Sequence, residues 1–397
     1  MPVEKREPTT LKLVPSLPAR RLSDGGVVLT QKFLDGVKEF QKFWADPVAV
    51  YLRSSSDKTG NLDEVCVSPP DLDFRLEVLS PPAIAQEIVS ERSAVVLLSL
   101  DDFRQSRLWM TCRDHNVNCV YVSEYSIATR KQIIRETTAN PFKRVRRTFW
   151  ENGQERKRRA AVSGASGLQC NGTPTYDSYR GLSRNTLLFF DSRVTEDLLA
   201  EEEDIEHRLS DFASRPIQLF FSGRLARIKG AMQLLDVAKE LRRLGVDFYL
   251  TICGDGELKG EMLNAIQAEQ LSRHVCLKGT LDFKTQLLPF VRSNVDLFLC
   301  CHPQGDPACT YLETMSCGVP IAGYENDAFA GVVRSSSSGW LGPLNDPVAL
   351  AGIVAQIKQA PETLRAMSLG ALRFAKGHTF ESTFSRRIEH LRSALVA

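Results

Sequence analysis

The sequence predicts an α/β protein built from two doubly wound, parallel-sheet domains. Three observations predict it: a length of 397 residues, a repeated alternation of short apolar runs with amphipathic stretches, and glycine turns that close several of the apolar runs. At roughly 150 residues per domain, the length suits two domains. Alternating strand-like and helix-like segments favour parallel strands covered by helices.

In the first half, Leu11–Val14 reads as the first strand, followed by a loop containing Gly25-Gly26 and a helix over about Val28–Trp44. Val48–Leu52, Val95–Leu98, Val117–Val122, Gly167–Cys170 and Thr186–Phe190 read as further strands. The acidic stretch from Glu201 to Ser214 reads as a solvated linker or hinge. It separates a domain over residues 11–200 from a second over 215–378, with 201–214 as linker.

The second half is more regular. Ile217–Phe221 is a strand, and Ala231, Leu234, Leu235, Ala238 and Leu241 form the stripe of a helix that Gly245 stops. Phe248–Cys253 is the next strand, ending at Gly254-Asp255-Gly256. A helix over about Glu257–Leu271, a strand near Val275, a helix near Thr285–Arg292 and a strand over Val295–Cys301 follow. A helix over about Cys309–Cys317 and a strand over Pro320–Tyr324 complete a doubly wound set. The last segment, 379–397, is an amphipathic helix with Phe380, Phe384, Ile388, Leu391 and Leu395 on one face, free to pack back on the first domain.

A hydrophobic share of 43% with 25% charged residues excludes global disorder. A net charge of +2 argues against a dedicated nucleic-acid binder. No apolar run reaches the ~18 residues a membrane span needs. The opening Met1–Glu7 lacks the apolar core of a secretory signal, so a cytoplasmic protein is expected. The ten cysteines include no Cys-x-x-Cys pair and read as reduced small hydrophobes. Cys300-Cys301-His302 reads as a strand end rather than a metal site, and Asn171-Gly172-Thr173 is not read as a glycosylation signal.

Three turns carry candidate chemistry. Ser222-Gly223-Arg224, with Lys229-Gly230 opening the next helix, offers a glycine and two cations to a phosphate; the alternative is an ordinary turn with solvated cations. His302 to Glu313 links a strand to a helix start, where open α/β sheets bind ligands. There Glu313 either accepts hydrogen bonds from ribose hydroxyls or complements the helix dipole, and Asp306 either faces the ligand or caps. Gly254-Asp255-Gly256-Glu257 lacks the Gly-x-Gly-x-x-Gly spacing, which argues against a nicotinamide dehydrogenase. Asn171–Tyr176, at a strand's carboxyl end, reads as a simple polar turn or as a segment lining the cleft between the domains.

The segments Phe221–Gly230, Cys253–Glu257 and Tyr311–Pro320, in that order and spacing, resemble the nucleotide-sugar domain of glycosyltransferase family 4, the group 1 glycosyltransferases. The resemblance spans roughly 215–375 and is weaker over the first half. It implies the GT-B architecture of two facing Rossmann-like domains, with a UDP- or GDP-linked sugar donor in the C-terminal one. It further implies transfer to a hydroxyl acceptor with retention of anomeric configuration, without a metal or other cofactor, in polysaccharide or glycoconjugate biosynthesis. By matched position, Arg224 and Lys229 bind the diphosphate, Gly223 lies beneath it, and Glu313 binds the ribose. The backbone amides of Thr310 and Tyr311 meet phosphate or sugar, and Gly25 and Gly26 lie under the phosphates or the acceptor. Two positions depart from the family pattern. The first Glu of its Glu-x7-Glu motif falls on Gly305, with Asp306 one residue late. Its N-terminal His is replaced by Glu124, followed by Tyr125; Glu124 either bonds sugar hydroxyls or is an ordinary loop acid. These departures keep a second reading open, a non-catalytic nucleotide-sugar scaffold or sensor of the same fold.

Between Lys143 and Arg159 eight bases stand against two acids, with Phe142, Phe149 and Trp150 interleaved. A solvated helix face is the default reading. Peripheral contact with the inner face of a membrane, useful for a lipid-linked acceptor, is one alternative, and contact with RNA is another.

Overall fold

The computed structural model describes residues 8–55 and 64–395; Met1–Glu7 and the last two residues of the C-terminal segment, on which readings above also fall, lie outside the described residues. The N-terminal domain contributes β1 (Thr10–Val14), β2 (Pro18–Arg21), β3 (Val27–Thr30), β4 (Val48–Ser54) and β5 (Glu64–Val67). It continues with β6 (Arg75–Leu79), β7 (Ala94–Ser99), β8 (Asn118–Ser123), β9 (Gly167–Asn171) and β10 (Thr186–Phe189). Their order is β10-β9-β8-β7-β1-β4-β2-β3-β5, with β6 also paired to β4. The C-terminal domain contributes β11 (Ile217–Ser222), β12 (Phe248–Cys253), β13 (Val275–Gly279), β14 (Leu297–Cys300), β15 (Ile321–Tyr324) and β16 (Trp340–Gly342). They line up β13-β12-β11-β14-β15-β16, every pair parallel.

The central strands are buried along nearly their whole length because helices cover both faces of each sheet. All six residues of β7 are buried, as are all four of β14. β1 lies between β4 and β7, with Leu13 opposite both Val50 and Leu97. The helix Ala231–Arg243 buries Ala231, Leu234, Leu235, Val237, Ala238 and Leu241, the stripe read from the sequence.

Two segments depart from the sequence reading. Val27–Thr30 is a strand, not the start of a helix: it pairs antiparallel with β2 and β5. Thr30 then caps the helix Gln31–Phe43, its hydroxyl accepting the Phe33 N–H at 3.2 Å. Gly25 and Gly26 therefore sit in the β2–β3 hairpin turn, where the Leu22 N–H donates to the Gly26 carbonyl. Second, 201–214 is not a solvated linker. Its acidic residues open the helix Glu202–Leu209 at the N-terminal end, where negative charge is favoured. That helix buries Ile205 and Arg208 against the C-terminal domain. Arg208 donates to the carbonyls of Arg292 at 2.9 Å, Cys317 at 3.0 Å and Gly318 at 2.6 Å. The basic segment is a helix, as read, and a long one, Pro141–Gly164, whose inner face buries Glu151, Gln154, Arg158, Ala161 and Val162.

The final helix, Phe380–Ser393, returns to the N-terminal domain. Phe380, Phe384, Ile388 and Leu391 join the core formed with Leu34, Val37 and Phe40, and the Phe40 and Phe384 rings meet at 5.0 Å. The carboxyl ends of both sheets thereby face each other across one cleft.

Candidate functional site

On the C-terminal side of the cleft, three loops leave the ends of β11, β12 and β14. Two glycines let them touch. A Cβ on Gly254 would lie 1.9 Å from the Gly223 carbonyl oxygen, and one on Gly230, at φ +65°, would lie 1.8 Å from that of Cys301. Only glycine fits so close a backbone approach. Gly230 thus makes room for protein backbone rather than for a ligand. Gly223 sits at the centre of this junction.

Lys229 reaches from the β11 loop to the β14 loop, its Nζ 2.7 Å from Asp306 Oδ2, both side chains largely buried. Asp306, the acid that stands one place late, is therefore the lysine's partner. Gly305, at the family's glutamate position, is gripped through its backbone instead. The Thr129 hydroxyl donates to its carbonyl at 2.8 Å, and its N–H donates to Gln132 at 3.1 Å. A Cβ there would already press on Asp327 at 3.2 Å. Arg224 is exposed, on the loop that follows β11.

The β14 loop holds three buried polar atoms without a partner among the described residues: His302 Nε2, Gln304 Oε1 and Asp306 Oδ1. Buried polar groups are normally satisfied, so this cluster suits a polar ligand. Burial, reinforced by the nearby Lys229 charge, holds His302 well below the usual histidine range, which leaves its imidazole neutral.

Thr310 heads the helix Thr310–Met315, half-buried at the cleft. Tyr311 departs from the sequence reading: its N–H is already given to the Ala308 carbonyl at 3.2 Å, and its ring is buried against His302 and Phe329. Glu313, in the same helix, is buried, with 7% of its surface exposed. Its Oε1 meets Arg193 Nε at 2.7 Å, and the Arg193 guanidinium, 43% exposed, lies 3.8 Å from the centroid of Phe283.

The N-terminal side presents a cavity of ≈ 360 Å³. Its walls are mostly apolar, including Leu17, Phe33, Val37, Phe40 and Phe384, and one end carries Lys32, Glu124, Asp191 and Arg387. Gly25 and Gly26 are not among its lining; the segment leaving β1 into it is Pro15-Ser16-Leu17. Lys32 Nζ stands 2.6 Å from Asp191 and 3.1 Å from the Cys309 sulfur, which joins the two domains. Burial opposes ionisation of Asp191, but the Lys32 ammonium outweighs it and holds the carboxyl below its ordinary range.

Glu124 follows β8. Its N–H and that of Tyr125 donate to Asp101, which is paired with Arg130. The Glu124 side chain is open to solvent in the cavity yet walled in by both domains. Those surroundings, with the charges of Asp101 and Asp191, push it up to about 7. Burial brings Arg387 down to about 10, still charged at neutral pH; its guanidinium packs 4.5 Å from the Phe189 centroid. Asn171–Tyr176 proves to be more than a turn: it opens the helix Thr173–Tyr179, which packs on Asp327–Ser336 of the other domain, with Thr173 donating to the Asp327 carbonyl.

Lys32, Asp191, Arg193 and Arg387 were missed by sequence reasoning, and His302 was named only as the start of the β14 loop, with no role of its own. Asp191 carried a readable signal, an acid directly after a strand.

With this geometry in place, comparison with known proteins is decisive for the C-terminal half. The model of the family described as glycosyl transferases group 1 matches residues 202–372. That half is a group 1 glycosyltransferase domain. Its first residue falls at the start of the helix Glu202–Leu209, in keeping with the packing of that helix on this domain. A curated relative is the amylovoran biosynthesis glycosyltransferase AmsK of Erwinia amylovora, 27% identical over 179 residues, 43% of each chain. Another is the putative colanic acid biosynthesis glycosyltransferase WcaL of Escherichia coli, 26% identical over 188 residues, 45% of this chain and 46% of that one. The matched stretch thus spans less than half the length of these relatives. The group 1 domain and its N-terminal partner together superpose on HepE from Anabaena, solved in complex with UDP, at a TM-score of 0.68 with 14% identity, covering 97% of this chain and 100% of that one. A glycosyltransferase from Rickettsia africae aligns at a TM-score of 0.63 with 12% identity, covering 98% and 99%. The architecture is GT-B, two facing Rossmann-like domains.

Proposed function

We propose that the protein is a retaining glycosyltransferase that moves a sugar from a nucleoside diphosphate to a hydroxyl acceptor, in polysaccharide or glycoconjugate biosynthesis. The observation that carries this reading is the unsatisfied polar cluster of the β14 loop beside the Lys229–Asp306 pair, directly across the cleft from Glu124 and its cavity. The C-terminal loops take the donor. Lys229 and Arg224 face its diphosphate, and Glu313 takes the ribose once Arg193 yields. The cavity of the other domain takes the acceptor. A UDP- or GDP-linked donor fits, and the Anabaena protein HepE has been solved with UDP and with UDP-glucose.

Charge grows on the diphosphate as the glycosidic bond breaks. Cations held in place before the reaction stabilise that charge more in the transition state than in the ground state. The acceptor hydroxyl attacks from the face the diphosphate leaves, and a departing phosphate oxygen takes its proton. No metal and no second catalytic carboxylate is required. Glu124 orients the transferred sugar by accepting hydrogen bonds from its hydroxyls. The acceptor is lipid-linked, which puts the enzyme at a membrane surface; no helix among the described residues is long and apolar enough to cross one.

The test is a donor screen with purified protein. UDP or GDP at millimolar concentration is expected to raise the melting temperature, and a matching nucleotide-sugar with acceptor to release free nucleotide by mass spectrometry. Absence of any thermal shift overturns the donor site. Shift without turnover, over a panel of acceptors, supports the scaffold reading instead.

A further inference from the structure

We infer that the outward face of the helix Pro141–Gly164 docks the protein on an anionic lipid surface. On this helix Phe142, Val145 and Phe149 fall at i, i+3 and i+7, the spacing of a buried stripe. Yet they are 86%, 70% and 81% exposed. Trp150 lies beside them and meets Phe103, from a neighbouring loop, edge-on at 5.4 Å. Half of the large apolar side chains exposed among the described residues gather in this one patch. The inner face is already occupied by Glu151, Gln154, Arg158, Ala161 and Val162, so the stripe has no packing role within the chain.

The charges choose the occupant. Lys143, Arg146, Arg147, Arg156 and Arg159 are exposed on the same helix. None of them is in a salt bridge among the described residues. The helix's two acids, Glu151 and Glu155, face inward and pair with Arg158. An acid-free basic face with projecting aromatics matches an interfacial helix, whose rings enter the headgroup boundary while its cations meet anionic lipid. A second copy of the chain fits poorly, because a two-fold contact would set these cations against their own images.

The surface itself stands apart from the transferase reading; only its use rests on that reading. The preceding helix, Ile127–Thr137, packs on the docking helix and supplies Thr129 and Gln132 to Gly305 at the cleft. Docking therefore sets the cleft within one helix of the membrane, where a lipid-linked acceptor is presented.

The experiment is flotation of the full chain with vesicles of phosphatidylcholine, alone or with about a third phosphatidylserine. Binding only to the anionic vesicles is expected, with a blue shift of Trp150 emission that is absent in W150F, and loss at high salt. The paired variants F142S/F149S and R146E/R156E change only exposed side chains. Each is expected to cut partitioning by at least ~10-fold without lowering the melting temperature. No binding to anionic vesicles overturns the proposal. So does a patch-dependent dimer in sedimentation, or tighter binding to single-stranded RNA than to the vesicles. Because flotation needs no donor and no turnover, its failure leaves the transferase reading untouched, and a failed donor screen leaves the docking surface untouched.

Discussion

Replacing Lys229 by Ala separates the stability of the donor loops from their chemistry. Lys229 Nζ and Asp306 Oδ2 are 2.7 Å apart, with side-chain exposures of 12% and 17%. Removing the ammonium leaves a largely buried carboxylate unpaired, and its other oxygen already lacks a partner among the described residues. Stranding a buried charge this way costs about 1–3 kcal/mol, the larger figure holding where water cannot enter. The double variant K229A/D306N removes the stranded charge and is expected to recover at least half of that loss. Activity behaves differently. If Lys229 stabilises the departing diphosphate, its loss lowers kcat by about 10²–10³, the usual effect of removing one stabilising group aimed at developing charge. The double variant then stays as inactive as the single one. Urea unfolding measures the first quantity, and nucleotide release by mass spectrometry with saturating donor measures the second. Wild-type turnover in K229A, or recovery of turnover together with stability in the double variant, would refute the assignment and leave Lys229 as a loop strut.

Glu124→Gln tests the cavity acid. Glu124 is pushed up to about 7, so its proton persists in the folded protein well above the ordinary carboxyl value, and the carboxylate that accepts sugar hydroxyls forms only as pH rises through 7. The wild-type rate is expected to climb with an inflection near pH 7, and the Gln variant to lose that inflection. The folded state also binds this proton more tightly than the unfolded one, so the stability it supplies is present at acid pH and lost as pH rises through 7. Melting temperature followed across neutral pH should show a shallower decline in the Gln variant. Gly230→Ala places a Cβ 1.8 Å from the Cys301 carbonyl oxygen at φ +65°, and a loss on the order of 3 kcal/mol is expected in urea unfolding, since backbone on both sides must move. Arg208→Ala removes the donor to three carbonyls and should cost a similar ~3 kcal/mol, read as a lower melting temperature; an unchanged value would mean that water replaces the guanidinium.

The C-terminal domain was legible in the sequence as far as Tyr324, because its strands are sandwiched between helices, while β16 and the helices Asp327–Ser336, Pro347–Lys358 and Pro361–Lys376 were not read. Phe248–Cys253 and Ile217–Ser222 are apolar but for Thr251, Gln218 and the closing Ser222, and glycines mark where each one turns. The group 1 resemblance rested on these same turns, since a motif records local backbone geometry. The ribbon of β2, β3 and β5 was not legible. Pro18-Ala-Arg-Arg21 carries no apolar pattern, and a strand that short takes its identity from the partner that hydrogen-bonds it. Gly25-Gly26 was misplaced for that reason, as a glycine pair signals a turn without saying which one. The acidic run at Glu201 looked solvated, although Ile205 and Arg208 inside it pack against Leu372 and the Gly318 carbonyl far along the chain.

The site divides the same way. Periodicity in the sequence placed Lys229 and Asp306 on loops at strand ends, and Glu313 in the helix that follows one, because it marks where strands stop. Only the tertiary structure set Asp306 against Lys229 and Arg193 against Glu313, and brought Lys32, Asp191 and Arg387 around Glu124. Those contacts join residues far apart in the chain, 159 positions for Lys32 and Asp191. The outward stripe of Pro141–Gly164 shows the limit most plainly. Its spacing is that of a core helix, and which face the protein covers depends on neighbours that the helix's own sequence does not name.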